Sequence, residues 1–192
     1  MVIGITGNSG SGKSEISKKL ANILNAIIID ADKEAKLLAE PGNIYYKKIV
    51  KKFGKKILDG ENINRVKLAE IIYNNKKNRN KLNRLTNKYV VKQIKKNVKS
   101  KKDNNIILDV PLLFESKLDK ICDVTIAILA NEENKIQRIM KRDKITKIVA
   151  KQRLAIQAKE EYYKEKADYI VENNDEINEK YLEELCTKIG KT

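Results

Sequence analysis

Residues 7 to 14 read GNSGSGKS, a Gly7-x4-Gly12-Lys13-Ser14 pattern that permits few folds. The apolar, largely β-branched run Val2 to Thr6 precedes it, and an apolar-periodic segment from Lys13 to Leu24 follows. Four of the chain's eight glycines fall within the first twelve residues, so the backbone there must stay bare. Without side chains a loop between strand and helix can turn successive N–H groups inward on an anion, and the helix adds the positive end of its dipole. The expected ligand is a nucleoside triphosphate with Mg2+. The expected contacts are Gly7, Asn8, Ser9, Gly10, Ser11, Gly12, Lys13, Ser14 and Glu15. Lys13 is expected to reach the β and γ phosphates, and the Ser14 hydroxyl to ligate magnesium. A glycine turn beside a chance lysine is the bland alternative.

The rest of the chain alternates short apolar runs with longer periodic segments, which implies an α/β domain on a parallel sheet. Strands are predicted at Val2 to Thr6, Ala26 to Asp30, Asn105 to Val110, Asp123 to Leu129 and Tyr169 to Glu172. Their runs lack strict alternation, as suits strands covered on both faces. Helices are predicted at Lys13 to Leu24, Lys33 to Leu38, Tyr45 to Phe53, Arg65 to Tyr73, Lys76 to Lys99, Glu132 to Lys141, Lys147 to Gln157 and Ile177 to Lys188. Asn64, Asn131 and Thr146 can each cap a helix that starts beside them. About 75 residues separate the second and third strands, against the dozen or so a crossover needs, and they read as wholly helical. They are expected to form an inserted helical subdomain over the sheet's carboxyl edge, where open α/β sheets bind ligands.

Composition narrows the function. The apolar runs are far shorter than the roughly 20 residues that span a bilayer, and the amino terminus lacks a signal-peptide pattern. No membrane and a cytoplasmic location are therefore expected. Cys122 and Cys186 lie too far apart for a local metal clip, and there is no histidine. The formal charge of +15 invites a nucleic-acid partner. Against it, only six of 41 cations are arginine, the lysines are scattered, and no base-stacking aromatics are interleaved among them. A polyanionic small substrate fits the charge equally well.

The glycine loop leaves the phosphate acceptor open. No Asn-Lys-x-Asp base-reading tetrapeptide is present, and the third strand ends Asp109-Val110 without the acidic pair of a motor ATPase. A small phosphotransferase is expected. Asp30 and Asp32, in IIIDADK, are read as ending the second strand, where a carboxylate can take the proton of an attacking hydroxyl. Capping of the next helix is the alternative for this pair, and a chain already turning into that helix by Asp32 is left open. Arg138 and Arg142 share one helix face at i and i+4, and their forked guanidinium groups suit a triphosphate. A solvent-facing pair of Arg142 with Asp143 is the alternative. The segment DKITKIVAKQRLAIQ, with Arg153, reads as a mobile helical lid.

In order, IGITGNSGSGKS, IIDADK, EPGNIYYKKIVKKFG, LDGENINRVKLAEIIYNN, LNRLTNKYV, DVPLLFESKLDKICD, RIMKRD, RLAIQ and ADYIVENN resemble the segments of dephospho-coenzyme A kinases over nearly the whole chain. The resemblance implies a three-layer P-loop kinase fold, with about five parallel strands between helices on both faces. It further implies a core at about 1–35, 104–133 and 165–192, a helical acceptor-binding insertion at about 36–103 and a lid at about 134–164. The activity implied is ATP-dependent phosphorylation of the ribose 3′-hydroxyl of dephospho-coenzyme A, the final step of coenzyme A synthesis. Asp32 is then the base, Lys13, Arg138 and Arg142 act on the phosphates, and Ser14 is a magnesium ligand. Asp30, Asp32, Arg65, Asn87, Asp109 and Pro111 are implied on the acceptor side, and a monomer or weak homo-oligomer is expected.

Three positions depart from the family pattern. Glu15 stands where threonine is common, Thr86-Asn87-Lys88 replaces a Thr-His-Pro segment, and Lys36 occupies the place of a histidine. Two other readings remain open from the residues alone: a nucleoside or nucleotide kinase, and an ATP-binding nucleic-acid module.

Overall fold

A computed structural model describes every residue except Asn74, Glu176, Asn178, Lys191 and Thr192. Asn74 ends one of the segments quoted above and Asn178 lies in the helix expected from Ile177, so both fall outside the described residues. Among the described residues the strands are β1 (Val2–Thr6), β2 (Ile27–Asp30), β3 (Leu58–Asp59), β4 (Asn62–Ile63), β5 (Ile106–Asp109), β6 (Val124–Leu129) and β7 (Tyr169–Glu172). The helices are α1 (Lys13–Ile23), α2 (Ala31–Leu38), α3 (Ile44–Phe53), α4 (Arg65–Tyr73), α5 (Lys76–Ser100), α6 (Glu132–Asp143), α7 (Lys147–Ala155), α8 (Glu160–Lys164) and α9 (Glu179–Ile189). Among the described residues no helix is long and apolar enough to cross a membrane.

The backbone divides into two compact units, Met1–Ile29 with Val98–Thr192, and Asp30–Asn97. The first is built on a five-stranded parallel sheet in the order β2-β5-β1-β6-β7. The chain leaves β1 for one side of the sheet and returns through β5 before crossing to β6 on the other, so β1 ends at a reversal of strand order. Ligands of open α/β sheets bind at such a point.

Every residue of β5 and of β6 is buried, which is why their sequences run apolar without alternation. On one face Ile3, Ile5, Ile107, Ile126 and Ile128 pack against Ile16 and Leu20 of α1 and Leu182, Leu185 and Ile189 of α9. Each such side chain taken from water stabilises the fold by about 1.5–3 kcal/mol. The opposite face of β1 has no room to spare: a Cβ on Gly4 would stand 2.7 Å from Cys122 Sγ and 2.9 Å from Leu113. Burial pushes the Cys122 thiol up to about 12, aided by Asp119, Asp123 and Asp168, so it stays protonated.

The unit Asp30–Asn97 corrects one expectation. It is not wholly helical, because β3 and β4 form an antiparallel hairpin about Gly60, whose φ is +57°. Tyr46 Oη donates to Glu61 O (2.5 Å) and Lys67 Nζ to Leu58 O (3.1 Å), which fixes the hairpin to α3 and α4. Asn64 caps α4 by accepting from Lys67 N at 3.1 Å, as its side chain suggests. Tyr45 of α3 meets Thr86 Oγ1 of α5 at 2.8 Å, and burial raises its hydroxyl pKa.

Candidate active site

The glycine loop leaves β1 at Thr6, whose hydroxyl donates to Pro111 O at 3.1 Å just beyond β5. Gly10 and Gly12 hold φ of +79° and +86°, the region L side chains avoid. Space forbids substitution as well. A Cβ on Gly10 would stand 2.5 Å from Lys135 O and 2.9 Å from Lys135 Cα, backbone atoms that cannot turn aside. One on Gly12 would overlap the side-chain amide of Asn173. The loop is thus pressed against α6 and the end of β7, with Gly12 serving as the left-handed cap of α1.

Directional bonds complete the cradle. Asn173 Nδ2 donates to Ser11 O at 2.8 Å. Arg138 donates through Nη1 to Gly10 O (3.3 Å) and through Nη2 to Asn173 O (3.0 Å). Arg142 Nη2 donates to Ser9 Oγ at 3.0 Å. Gln157 Oε1 accepts from Ser9 N at 2.8 Å, and Asn8 Nδ2 donates to Ala158 O at 3.0 Å. Ser11 N is bonded to Asn8 O and Glu15 N to Gly12 O. Asn8 Oδ1 and Ser11 Oγ are buried with no hydrogen-bond partner among the described residues.

Lys13, first residue of α1, pairs with the Asp109 carboxylate at the end of β5, and Ser17 Oγ donates to the other oxygen at 3.1 Å. The strand register accounts for this meeting, since Asp109 stands beside Ile5, two residues before the loop begins. Asp109 is only 3% exposed. Ser14, in the first turn of α1, is exposed.

The arginine pair works as a face. Arg138 and Arg142 both turn toward the loop, and Arg142 also chelates Asp143 through Nε (2.8 Å) and Nη2 (3.1 Å). The pair of Arg142 with Asp143 is thus present, and the same guanidinium also reaches the loop. Arg153 Nη1 reaches the same carboxylate at 2.5 Å. The hydrogen bond from Arg142 holds Asp143 below the ordinary carboxylate range; the charges of Arg142 and Arg153 assist and partial burial opposes. Ile136 and Ile139 of α6 pack on Ala150 of α7, so the two helices form a hairpin. The short α8 goes beyond the helices expected; its Glu160 pairs with the buried Lys135 at 3.0 Å.

Asp30, Asp32, Arg65 and Asn87 belong to the other unit. Asp30 ends β2 and caps α2, its Oδ1 accepting from Asp32 N (2.9 Å) and Lys33 N (3.0 Å). Of the two readings of this pair, capping of the next helix holds for Asp30; α2 begins at Ala31, so Asp32 does not end the strand but lies in the first turn of the helix, exposed. Arg65 opens α4 and Asn87 lies on α5, both exposed. Residue types alone did not single out Ser17, Lys135, Asn173 or the bond from Gln157 to Ser9.

A glycine loop at the carboxyl end of the central parallel strand, with a lysine opening the helix that follows, is the architecture of a P-loop kinase. Solved structures carry the same fold. One from Thermus thermophilus matches with a TM-score of 0.80 at 23% identity, covering 100% of this chain and 97% of that one. The dephospho-CoA kinase from Campylobacter jejuni matches with a TM-score of 0.64 at 29% identity over 99% of this chain and 95% of its own. The family model described as dephospho-CoA kinase matches residues 1–179. A dephospho-CoA kinase of Fusobacterium nucleatum is 40% identical over 192 residues, 98% of each chain. The chain belongs to the dephospho-CoA kinase family.

Proposed function

We propose that this enzyme moves the γ-phosphoryl group of ATP to the ribose 3′-hydroxyl of dephospho-coenzyme A, giving coenzyme A and ADP, as the last step of coenzyme A synthesis. The observation that carries this reading is the family match over residues 1–179, which takes in the glycine loop, Asp32, Asp109 and both α6 arginines. The core, the acceptor-binding insertion from about 36 to 103 and the lid from about 134 to 164 are the working parts.

Asp32 accepts the proton of the attacking hydroxyl as its oxygen bonds to the γ-phosphorus. The bond from phosphorus to the β,γ-bridging oxygen breaks and ADP leaves. Lys13 meets the charge that grows on the phosphoryl oxygens, and Asp109 holds Lys13 until nucleotide arrives. Arg138 and Arg142 bring two further cations from the lid side and exclude water as the lid closes. Asp30 keeps Asp32 on the first turn of α2, while Arg65, Asn87 and Pro111 border the acceptor. The Ser14 hydroxyl, exposed in the first turn of α1, is a hard oxygen donor of the kind that would hold magnesium. When bound there, the ion would supply charge neutralisation on the triphosphate. We read the enzyme as cytoplasmic and as a monomer or weak homo-oligomer.

The test is a coupled ADP-release assay with dephospho-coenzyme A set against a panel of nucleosides and nucleoside monophosphates. Turnover with dephospho-coenzyme A alone is expected. Preference for a nucleoside, or no ADP release with any acceptor, overturns the reading.

A further inference from the structure

We propose that Gln157 is a positioning residue for the nucleotide, fastening the outer limb of the glycine loop before ATP binds. The outer limb, Asn8 and Ser9, and the inner limb, Gly10 to Gly12, are held by different parts of the chain. Asn173 and Arg138 hold the inner limb. The outer limb is strapped at two successive residues by the segment between α7 and α8. Gln157 Oε1 accepts from Ser9 N (2.8 Å), and Asn8 Nδ2 donates to Ala158 O (3.0 Å).

The glutamine amide is itself oriented. Its Nε2 donates to Arg153 O at 3.1 Å, a carbonyl in the last turn of α7, while its own backbone N–H goes to Leu154 O. One side chain thus satisfies a helix end and a loop amide together, and the amide cannot flip without losing both bonds. The same turn is anchored through Arg153 to Asp143, which also holds Arg142 against Ser9 Oγ. Ser9 is therefore met twice from the lid side, at its backbone by Gln157 and at its side chain by Arg142.

The consequence is thermodynamic. A loop already fixed in its phosphate-binding shape loses less freedom when nucleotide binds, so the strap raises ATP affinity without touching ATP. Coupling of this kind is reciprocal: bound nucleotide tightens the junction of α7 and α8 by the same factor.

The inference rests on the kinase reading only for its nucleotide, and its test needs no acceptor. The full-length wild type and the variants Gln157→Ala and Gln157→Met, the second nearly equal in volume, are titrated with a non-hydrolysable ATP analogue and magnesium by calorimetry. Exchange of the Ser9 amide hydrogen and Tm are recorded for each. The loss of one hydrogen bond predicts a Kd raised about fivefold to tenfold in both variants, faster Ser9 exchange and little change in Tm. In turnover, KM for ATP rises while KM for the acceptor holds. An unchanged Kd overturns the proposal. A large fall in Tm with both KM values rising together also overturns it, since that marks a merely structural role. If wild type binds the analogue but does not phosphorylate dephospho-coenzyme A, the function proposed above fails and this inference stands.

Discussion

Lys13 and Asp109, 96 residues apart in sequence, form an ion pair at the mouth of the glycine loop, with side chains only 11% and 3% exposed. Two charges so far out of water are held by each other and by Ser17, whose hydroxyl takes the second carboxylate oxygen. Removing the carboxylate leaves the ammonium without this counter-charge, and breaking a buried pair costs about 3–5 kcal/mol. Asp109→Ala is therefore expected to lose about that much in urea unfolding. Asp109→Asn keeps an acceptor for Ser17 and should lose less. Equal stability of Asp109→Ala and wild type would show that the pair contributes nothing to the fold.

Asp32 is exposed on the first turn of α2 and Asp30 is engaged as its cap, so the two carboxylates differ in what they are free to do. Asp32→Asn removes the proposed base while keeping size and hydrogen bonding. A general base contributes about a hundredfold to ten-thousandfold, so kcat should fall by that factor with the Kd for ATP within twofold of wild type. Asp30→Asn retains a cap and should cost far less. Near-normal turnover by Asp32→Asn would remove the base assignment.

The sequence made some of this legible and hid the rest for physical reasons. Strand β1 at Val2–Thr6, strand β7 at Tyr169–Glu172 and helix α4 at Arg65–Tyr73 carry the bounds expected of them, because β-branched runs and the Asn64 cap act locally. The hairpin at Leu58–Ile63 has two residues in each strand, and α8 has five residues, too few for either to display a period. The loop's shape was readable because glycine at a positive φ is a demand of the backbone. Its supports were not, since Gln157 meets Ser9 across 148 residues and Asn173 meets Ser11 across 162, distances at which no spacing rule operates. The helix was expected from Lys33 and begins at Ala31, because Asp30 ends the strand and caps the helix at once, leaving no loop between them.

Gly10 offers a test that separates binding from folding. A methyl there faces the Lys135 backbone at a φ of +79°, so Gly10→Ala must shift the loop away from α6. A left-handed L residue costs about 1–2 kcal/mol, which in a chain of this size lowers Tm by about 2–8 °C. The core beneath the sheet is untouched, so the protein should still fold cooperatively while the Kd for ATP weakens at least about tenfold, the equivalent of about 1.4 kcal/mol. Wild-type nucleotide affinity in a folded Gly10→Ala protein would refute the tight packing of loop on helix.

Asp143 makes the hairpin of α6 and α7 sensitive to acid. Hydrogen bonds from Arg142 and Arg153 favour its ionised form, and its carboxyl is held below the ordinary carboxylate range. For a group whose folded pKa is depressed, the stabilisation is complete above the unfolded value, near 4 for aspartate, and disappears as pH falls through the folded value. The clip between α6 and α7 is therefore intact at neutral pH and released only in acid below about pH 4. Because Arg142 is 60% exposed, solvent screens its share and the effect is local rather than global. Hydrogen exchange at α7 amides, followed from pH 6 downward and corrected for intrinsic rates, should show protection falling below about pH 4 in wild type. In Asp143→Asn the same amides should be less protected already at neutral pH, with no step on acidification. A step of equal size in that variant would assign the acid sensitivity to another carboxylate, with Glu160, which pairs with the buried Lys135, the next to replace.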